Sequence, residues 1–167
     1  MSGLRDQIDH GAKKHALQML HNGMFIVTAG SAEMCYAGTV TWVSQASFRP
    51  PLVMIALRKS SRLFECLAEN RAGALNVLSQ GQLELARRLF VHARGREGAF
   101  EGERFSAGIT PVPVLENAAA CLECRVARIV DDAGDHAILI MEVVAAQCRH
   151  RDAKPLSVAE SPWKYGG

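Results

Sequence analysis

The chain has 167 residues, of which 49% are hydrophobic and 22% charged, and a formal net charge of +2. That length predicts one domain over 1–167 with a core large enough to stand alone. The small charge, with no sustained basic stripe, gives no electrostatic case for nucleic acid or a membrane surface, and no apolar run approaches the roughly 20 residues that span a bilayer.

The first twenty residues, MSGLRDQIDHGAKKHALQML, carry charges throughout and have no signal-peptide core. They predict an amphipathic helix over Leu4–Leu20 that stays on the mature protein, with Ile8, Leu17 and Leu20 in the core. Asn22-Gly23 is a turn signal, and Met24–Ala29 reads as a short apolar strand. Tyr36–Val43 reads as one strand and Leu52–Leu57 as a buried one. Ser61 is placed to cap a helix through Arg62–Asn70, with Leu63, Phe64 and Leu67 inward. Ala72–Leu78 is a further strand, and Ser79 with Gln82 has capping-box spacing for a second helix to Phe90.

His92–Glu103 is polar and glycine-rich, which predicts a surface loop, or a lid whose Arg94 and Arg96 reach an anion. Cys121–Val130 and His136–Ala146 read as long strands joined through Asp131–Asp135 as a hairpin. Residues 155–167 form a tail with late anchors, Trp163 and Tyr165. About six strands outnumber two or three helices. The pattern predicts a mainly β (α+β) fold, an antiparallel barrel with helices packed around it. Five cysteines without a secretion signal predict a reducing cytoplasm and free thiols. Cys121 and Cys124 have metal-pair spacing, but no second pair exists, and in a strand they point to opposite faces, so they read as structural thiols.

Two segments carry polar groups against this apolar background. The first is TVTWVSQASFRPP, Thr39–Pro51, where hydroxyls and an amide run into a double proline that bends the chain. Such a stretch suits a flat, acceptor-rich heterocycle; the same residues also describe a polar edge strand with no ligand. The second is Arg58-Lys59-Ser60-Ser61-Arg62, cations and hydroxyls at a helix N-terminus, which suits a phosphate or describes only a capped, solvated helix. Together they fit the two ends of one phosphorylated cofactor. His136 opens a strand, either as a group that binds an anion or moves a proton, or as a polar strand end. No GxGxxG or GxxxxGK[ST] occurs, which argues against a Rossmann or P-loop nucleotide site.

The ordered segments resemble the flavin reductase-like, FMN-binding split-barrel family, in its flavoredoxin-like branch. The resemblance rests on Gly23–Thr28, TVTWVSQASFRPP, Ala74–Leu78, QLELARRLF from Gln82, Leu122–Cys124, Gly134-Asp135-His136 and the closing Tyr165-Gly166-Gly167. It implies a homodimeric, Greek-key split β-barrel that binds FMN, with FAD as the less frequent choice. By position, Thr39, Val40, Thr41, Trp42, Gln45, Ala46 and Ser47 would line the isoalloxazine and ribityl chain. Arg58, Ser60, Ser61 and Arg62 would hold the phosphate, Asn76 would support them, and His136 would lie near the flavin and a nicotinamide donor. No metal is implied. The sequence departs from the family at Tyr36-Ala37-Gly38, Arg49 and Met141.

The implied activity is transfer of a hydride from NADH or NADPH to flavin. A partner oxygenase that uses free reduced flavin is compatible with it. The alternative is a flavin-binding electron carrier reduced by a small electron-transfer protein, and a third reading is a β-barrel without flavin.

Overall fold

The computed structural model of the protein describes residues 8–31, 33–90, 93–95, 99, 100 and 102–166, and Leu4–Gln7 of the expected first helix, Arg96 and Gly167 lie outside them. Helix α1 spans His10–Gln18, and Asp9 caps it by accepting the Ala12 N–H at 3.0 Å. None of its residues is buried, and Ile8, Leu17 and Leu20 are exposed rather than in the core as expected. The reason is spacing: Ile8 and Leu17 lie nine positions apart, so these side chains make no continuous stripe.

The strands are β1 (Phe25–Gly30), β2 (Cys35–Val40), β3 (Val43–Ser47), β4 (Leu52–Arg58), β5 (Ala72–Val77), β6 (Ala93–Gly95), β7 (Ala99–Phe100), β8 (Glu103–Ala107), β9 (Pro113–Leu115), β10 (Ala120–Val130) and β11 (His136–Cys148). Eight form one sheet in the order β3-β4-β11-β10-β5-β1-β2-β6, with every pairing antiparallel. The expected single strand Tyr36–Val43 is therefore two strands, broken at Thr41-Trp42, at opposite ends of the sheet.

That break dictates the shape. Six inter-strand spacings separate β2 from β3, about 29 Å in a flat sheet at about 4.8 Å each. The chain covers the distance from Val40 to Val43 in three Cα steps, at most about 11 Å. The sheet must curl until its two ends nearly meet. The result is an antiparallel barrel split along a seam at Thr41-Trp42. Ala56 of β4 donates its N–H to the Trp42 carbonyl at 3.0 Å and helps to hold the seam.

Strand alternation sorts side chains into two cores. Val27, Val53, Ile55, Leu75, Cys124, Leu139 and Met141 fill the barrel, and Leu63, Cys66 and Leu67 of α2 (Arg62–Asn70) plug it. Ser61 caps α2 as expected, accepting the Phe64 N–H at 3.2 Å. On the other side, Met24, Ile26 and Cys35 pack with Leu85 and Leu89, with Phe100 and Phe105, and with Leu156 of the tail. Helix α3 (Leu83–Arg88) follows a 3-10 turn at Gln80–Gln82 closed by the expected capping box.

The segment expected as a loop over 92–103 instead holds β6 and β7. β6 has no apolar run of its own; it forms because it lies against the free edge of β2, Tyr36 opposite Arg94. Cys121 lies in a small cluster with Val112 and Val114, Cys124 in the barrel core. Burial pushes both thiols up to about 12. They are inert packing groups on opposite faces. Among the described residues, no group of three or more His, Cys, Asp or Glu could hold a metal, and no helix is long and apolar enough to cross a membrane.

Asn76 is fully buried in β5. Its amide donates to the Ile26 carbonyl at 2.9 Å and its carbonyl accepts the Leu115 N–H at 2.8 Å, tying β1, β5 and β9 together. Asn76→Ala is expected to cost about 3 kcal/mol, because it strands a buried donor and acceptor. Urea titration checks it; a loss within about 0.5 kcal/mol, the scale of a surface substitution, would deny the clamp.

Candidate functional site

A cavity of about 390 Å³ opens at the seam, within the size range of small-molecule sites. Its walls come from six places that the curl brings together. They are Thr39–Trp42 from the end of β2 and the break, and Ala56–Arg58 from the end of β4. Ser60 and Ser61 come from the start of α2, Phe90 from the end of α3, and His136 and Tyr165 from the start of β11 and the tail.

Each wall is set by backbone pairing. β4 and β11 place Arg58 directly opposite His136. The Lys59 N–H donates to the Asp135 carbonyl at 3.1 Å, and the Ser61 N–H to the Arg58 carbonyl at 3.0 Å, which folds the chain into α2. Thr39 is fixed by two bonds to α3: its N–H donates to the Leu89 carbonyl at 2.9 Å and its hydroxyl to the Ala86 carbonyl at 2.7 Å.

The cavity has two chemically different ends. One is aromatic. The Trp42 ring lies 4.7 Å from His136 and 5.7 Å from Tyr165, tilted against both, and Phe90 stands beside them. His136 Nδ1 lies 2.8 Å from an Asp135 carboxylate oxygen, and its side chain is only 16% exposed while that of Asp135 is 87% exposed. The His136 hydrogen bond holds the Asp135 carboxyl below its ordinary value. The pair leaves the other ring nitrogen, Nε2, without that partner and fixes the imidazole plane.

The other end favours anions. Ser60 and Ser61 line it at the start of α2, where the first helical N–H groups and the positive end of the dipole lie, and Arg58 lines it just before them. Thr41 lines the same cavity. Its hydroxyl is buried, with the residue 3% exposed, and among the described residues it is the one buried side-chain oxygen or nitrogen without a partner. Buried hydroxyls are almost always paired. This one sits on a cavity wall, where a ligand atom would pair it.

Of the expected site residues, Thr39, Val40, Thr41, Trp42, Arg58, Ser60, Ser61 and His136 meet at this cavity. The others lie elsewhere. Gln45, Ala46 and Ser47 leave with β3 beyond the break, Gln45 on a separate apolar cavity. Arg62 pairs with Glu65 at 2.6 Å and faces a different groove. Asn76 is spent in the core. Arg94, considered for a lid, is exposed and contacts the Met34 sulfur at 3.0 Å. Sequence reasoning did not assign Phe90 and Tyr165 to the site. Phe90 closes the QLELARRLF segment and Tyr165 opens the Tyr165-Gly166-Gly167 ending, but neither segment by itself points to a cavity.

A planar ring system joined by a short polar chain to a phosphate matches these walls: aromatic rings, an unpaired hydroxyl and a helix N-terminus. FMN has that form, and the residues present fit it.

A family model for the flavin reductase like domain matches residues 17–162. The chain is 35% identical over 143 residues to the FMN reductase (NADH) SmoA of Agrobacterium fabrum, covering 86% of this chain and 78% of that protein. It is 33% identical over 106 residues to the FMN reductase (NADH) RutF of Pseudomonas syringae, covering 64% of this chain and 58% of the relative. The NADH:FAD oxidoreductase SgcE6 of Streptomyces globisporus, solved in complex with NAD and FAD fragments, superposes with a TM-score of 0.74 at 27% identity, over 84% of this chain and 82% of that one. The curl, the seam and the match over most of its length agree: the chain belongs to the flavin reductase-like domain family of FMN-binding split barrels.

Proposed function

We propose that this protein is an NADH-dependent flavin reductase and that FMN occupies the seam cavity. The observation that carries the reading is the cavity itself, whose lining joins aromatic rings and the start of α2 with Thr41, the residue that carries the unpaired buried hydroxyl. Relatives named as NADH-dependent FMN reductases support NADH as the donor.

The bound flavin would supply the hydride acceptor. The protein's part is binding and orientation. Thr39–Trp42 border the ring and the chain, with the Thr41 hydroxyl as a preformed donor where reduced flavin gathers negative charge. Arg58, Ser60 and Ser61 hold the phosphate. His136, oriented by Asp135, positions the nicotinamide. In this reading Gln45, Ala46, Ser47, Arg62 and Asn76 make no direct contact with the flavin.

A homodimer is part of the proposal. Phe48 is 85% exposed, and Met54 and Ile138 lie exposed on the outward side of β4 and β11. Exposed apolar surface of this kind supports an interface with a second copy. Light scattering is expected to give twice the monomer mass.

Purified protein mixed with FMN and passed through gel filtration is expected to carry flavin absorption. Adding NADH should bleach it and sustain turnover in air. Flavin that co-elutes but is bleached only by a reduced protein donor would make the protein an electron carrier instead. Protein that neither retains nor titrates FMN would end the flavin reading.

Thr41→Val tests the site. It removes an unpaired buried hydroxyl at nearly constant shape. The free protein should gain about 1 kcal/mol of stability, while FMN binding weakens about tenfold. Opposite signs in thermal melts and fluorescence titration mark a group kept for a ligand. Losses in both would make Thr41 structural.

A further inference from the structure

We propose that residues 161–166 form a strap across the aromatic end of the cavity, with Tyr165 as its closing side chain and a hydrogen bond from Gln18 as its latch, and that release of the strap sets the rate of flavin exchange. The proposal rests on the flavin reading above and deepens it, since it decides whether flavin is held or passes through.

The strap is tied at four points. Ser161 starts it, its hydroxyl donating to the Val158 carbonyl at 2.8 Å and accepting the Trp163 N–H at 3.2 Å. Trp163 then packs edge-on against Phe90, a cavity wall, with ring centres 4.9 Å apart. Tyr165 lies against Trp42, the residue at the seam, and is 38% exposed, so one side meets the cavity and the other meets solvent. The Gly166 carbonyl accepts from the Gln18 amide of α1 at 3.1 Å. Gly166 has φ +94°, a conformation glycine adopts at no steric cost, which turns the chain end over the Trp42 ring.

These ties are ring contacts and single hydrogen bonds rather than a strand ladder. β1, by contrast, is held along its length by β2 and β5. Segments with few buried contacts open far more often than ladders do, and lids of this kind govern product release in many enzymes. The strap touches the aromatic end and not the α2 end. Its opening therefore frees the ring while the phosphate remains held.

Stopped-flow displacement of FMN should give dissociation about fivefold faster in Gln18→Ala and about tenfold faster in Tyr165→Ala. In Gln18→Ala the rate at which NADH reduces bound flavin should stay unchanged, because Gln18 does not line the cavity. Hydrogen exchange by mass spectrometry on the flavin-free protein should show faster exchange of 161–166 in Gln18→Ala, with the strands unchanged. Wild-type dissociation rates in either variant, or unchanged exchange of 161–166 in Gln18→Ala, overturn the strap. Absence of flavin uptake by the wild type defeats the flavin reading instead, and hydrogen exchange then decides the latch alone.

Discussion

Ser60→Asp is expected to weaken FMN binding about a hundredfold while riboflavin, which has the same ring and no phosphate, binds nearly as before. Ser60 is exposed at the cavity wall, one residue before the cap of α2. A carboxylate there leaves the Ser61 cap untouched and favours the helix dipole, so the fold should keep or slightly gain stability. The cost falls on a bound anion. Two unit charges about 4 Å apart at a protein surface repel by about 4 kcal/mol before salt screening. A part of that suffices for a hundredfold change. Paired fluorescence titrations of FMN and riboflavin give the result directly. Equal weakening of both ligands would mean a disturbed cavity, and no weakening of FMN would move the phosphate away from α2.

The residues that meet at this cavity are far apart in the chain, yet most were legible. Thr39–Trp42 stand out because hydroxyls interrupt an apolar pattern, and Ser60-Ser61 because a helix start after a buried strand has a recognisable chemistry. His136 joins them through the pairing of β4 with β11, which sets it opposite Arg58. What local pattern could not show was the break at Thr41-Trp42. TVTWV keeps the strand period and contains no glycine or proline, so nothing local marks a corner. The corner is a demand of barrel closure, a property of the whole sheet. The break sends Gln45, Ala46 and Ser47 along β3, off the lining of this cavity.

Asn76 and Arg62 diverge for another reason. Both are polar residues beside functional segments, and sequence cannot tell whether a polar side chain is free or already spent. Asn76 is spent on Ile26 and Leu115, Arg62 on Glu65. Phe90 and Tyr165 reach the cavity because α3 and the tail pack on the outer core, an arrangement of tertiary contacts with no short-range signature.

Glu123 is the largest structural feature that composition hides, and acid should expose it. It is 1% exposed. Its carboxylate accepts the Ile109 N–H at 3.1 Å, the Thr110 N–H at 2.6 Å and the Thr110 hydroxyl at 2.7 Å, pinning the chain between β8 and β9 to β10. Burial pushes this carboxyl up, but the three donors together outweigh it and hold it below its ordinary value of 4.5. A carboxyl depressed in the folded state contributes stability that is fully present above 4.5 and is lost as pH falls through the lower folded value. The wild type should therefore lose stability in that window, and Glu123→Gln should lose less there. The difference between the two titrations removes the share of the exposed carboxylates Asp135 and Glu160, which are depressed as well. At neutral pH, Glu123→Ala should cost about 4 kcal/mol, since it strands the buried Thr110 N–H and hydroxyl and releases the Ile109 N–H. Gly108 supplies an independent check. A methyl group there would overlap the Glu123 carboxylate, so Gly108→Ala should cost about 2 kcal/mol by forcing the clamp apart. In the Glu123→Ala background these nearest contacts are gone, and its cost should fall. Denaturant melts of the two single variants and the double variant measure this coupling. Additive losses would mean that Gly108 and Glu123 act separately, and that the loop is held by something other than the buried carboxylate.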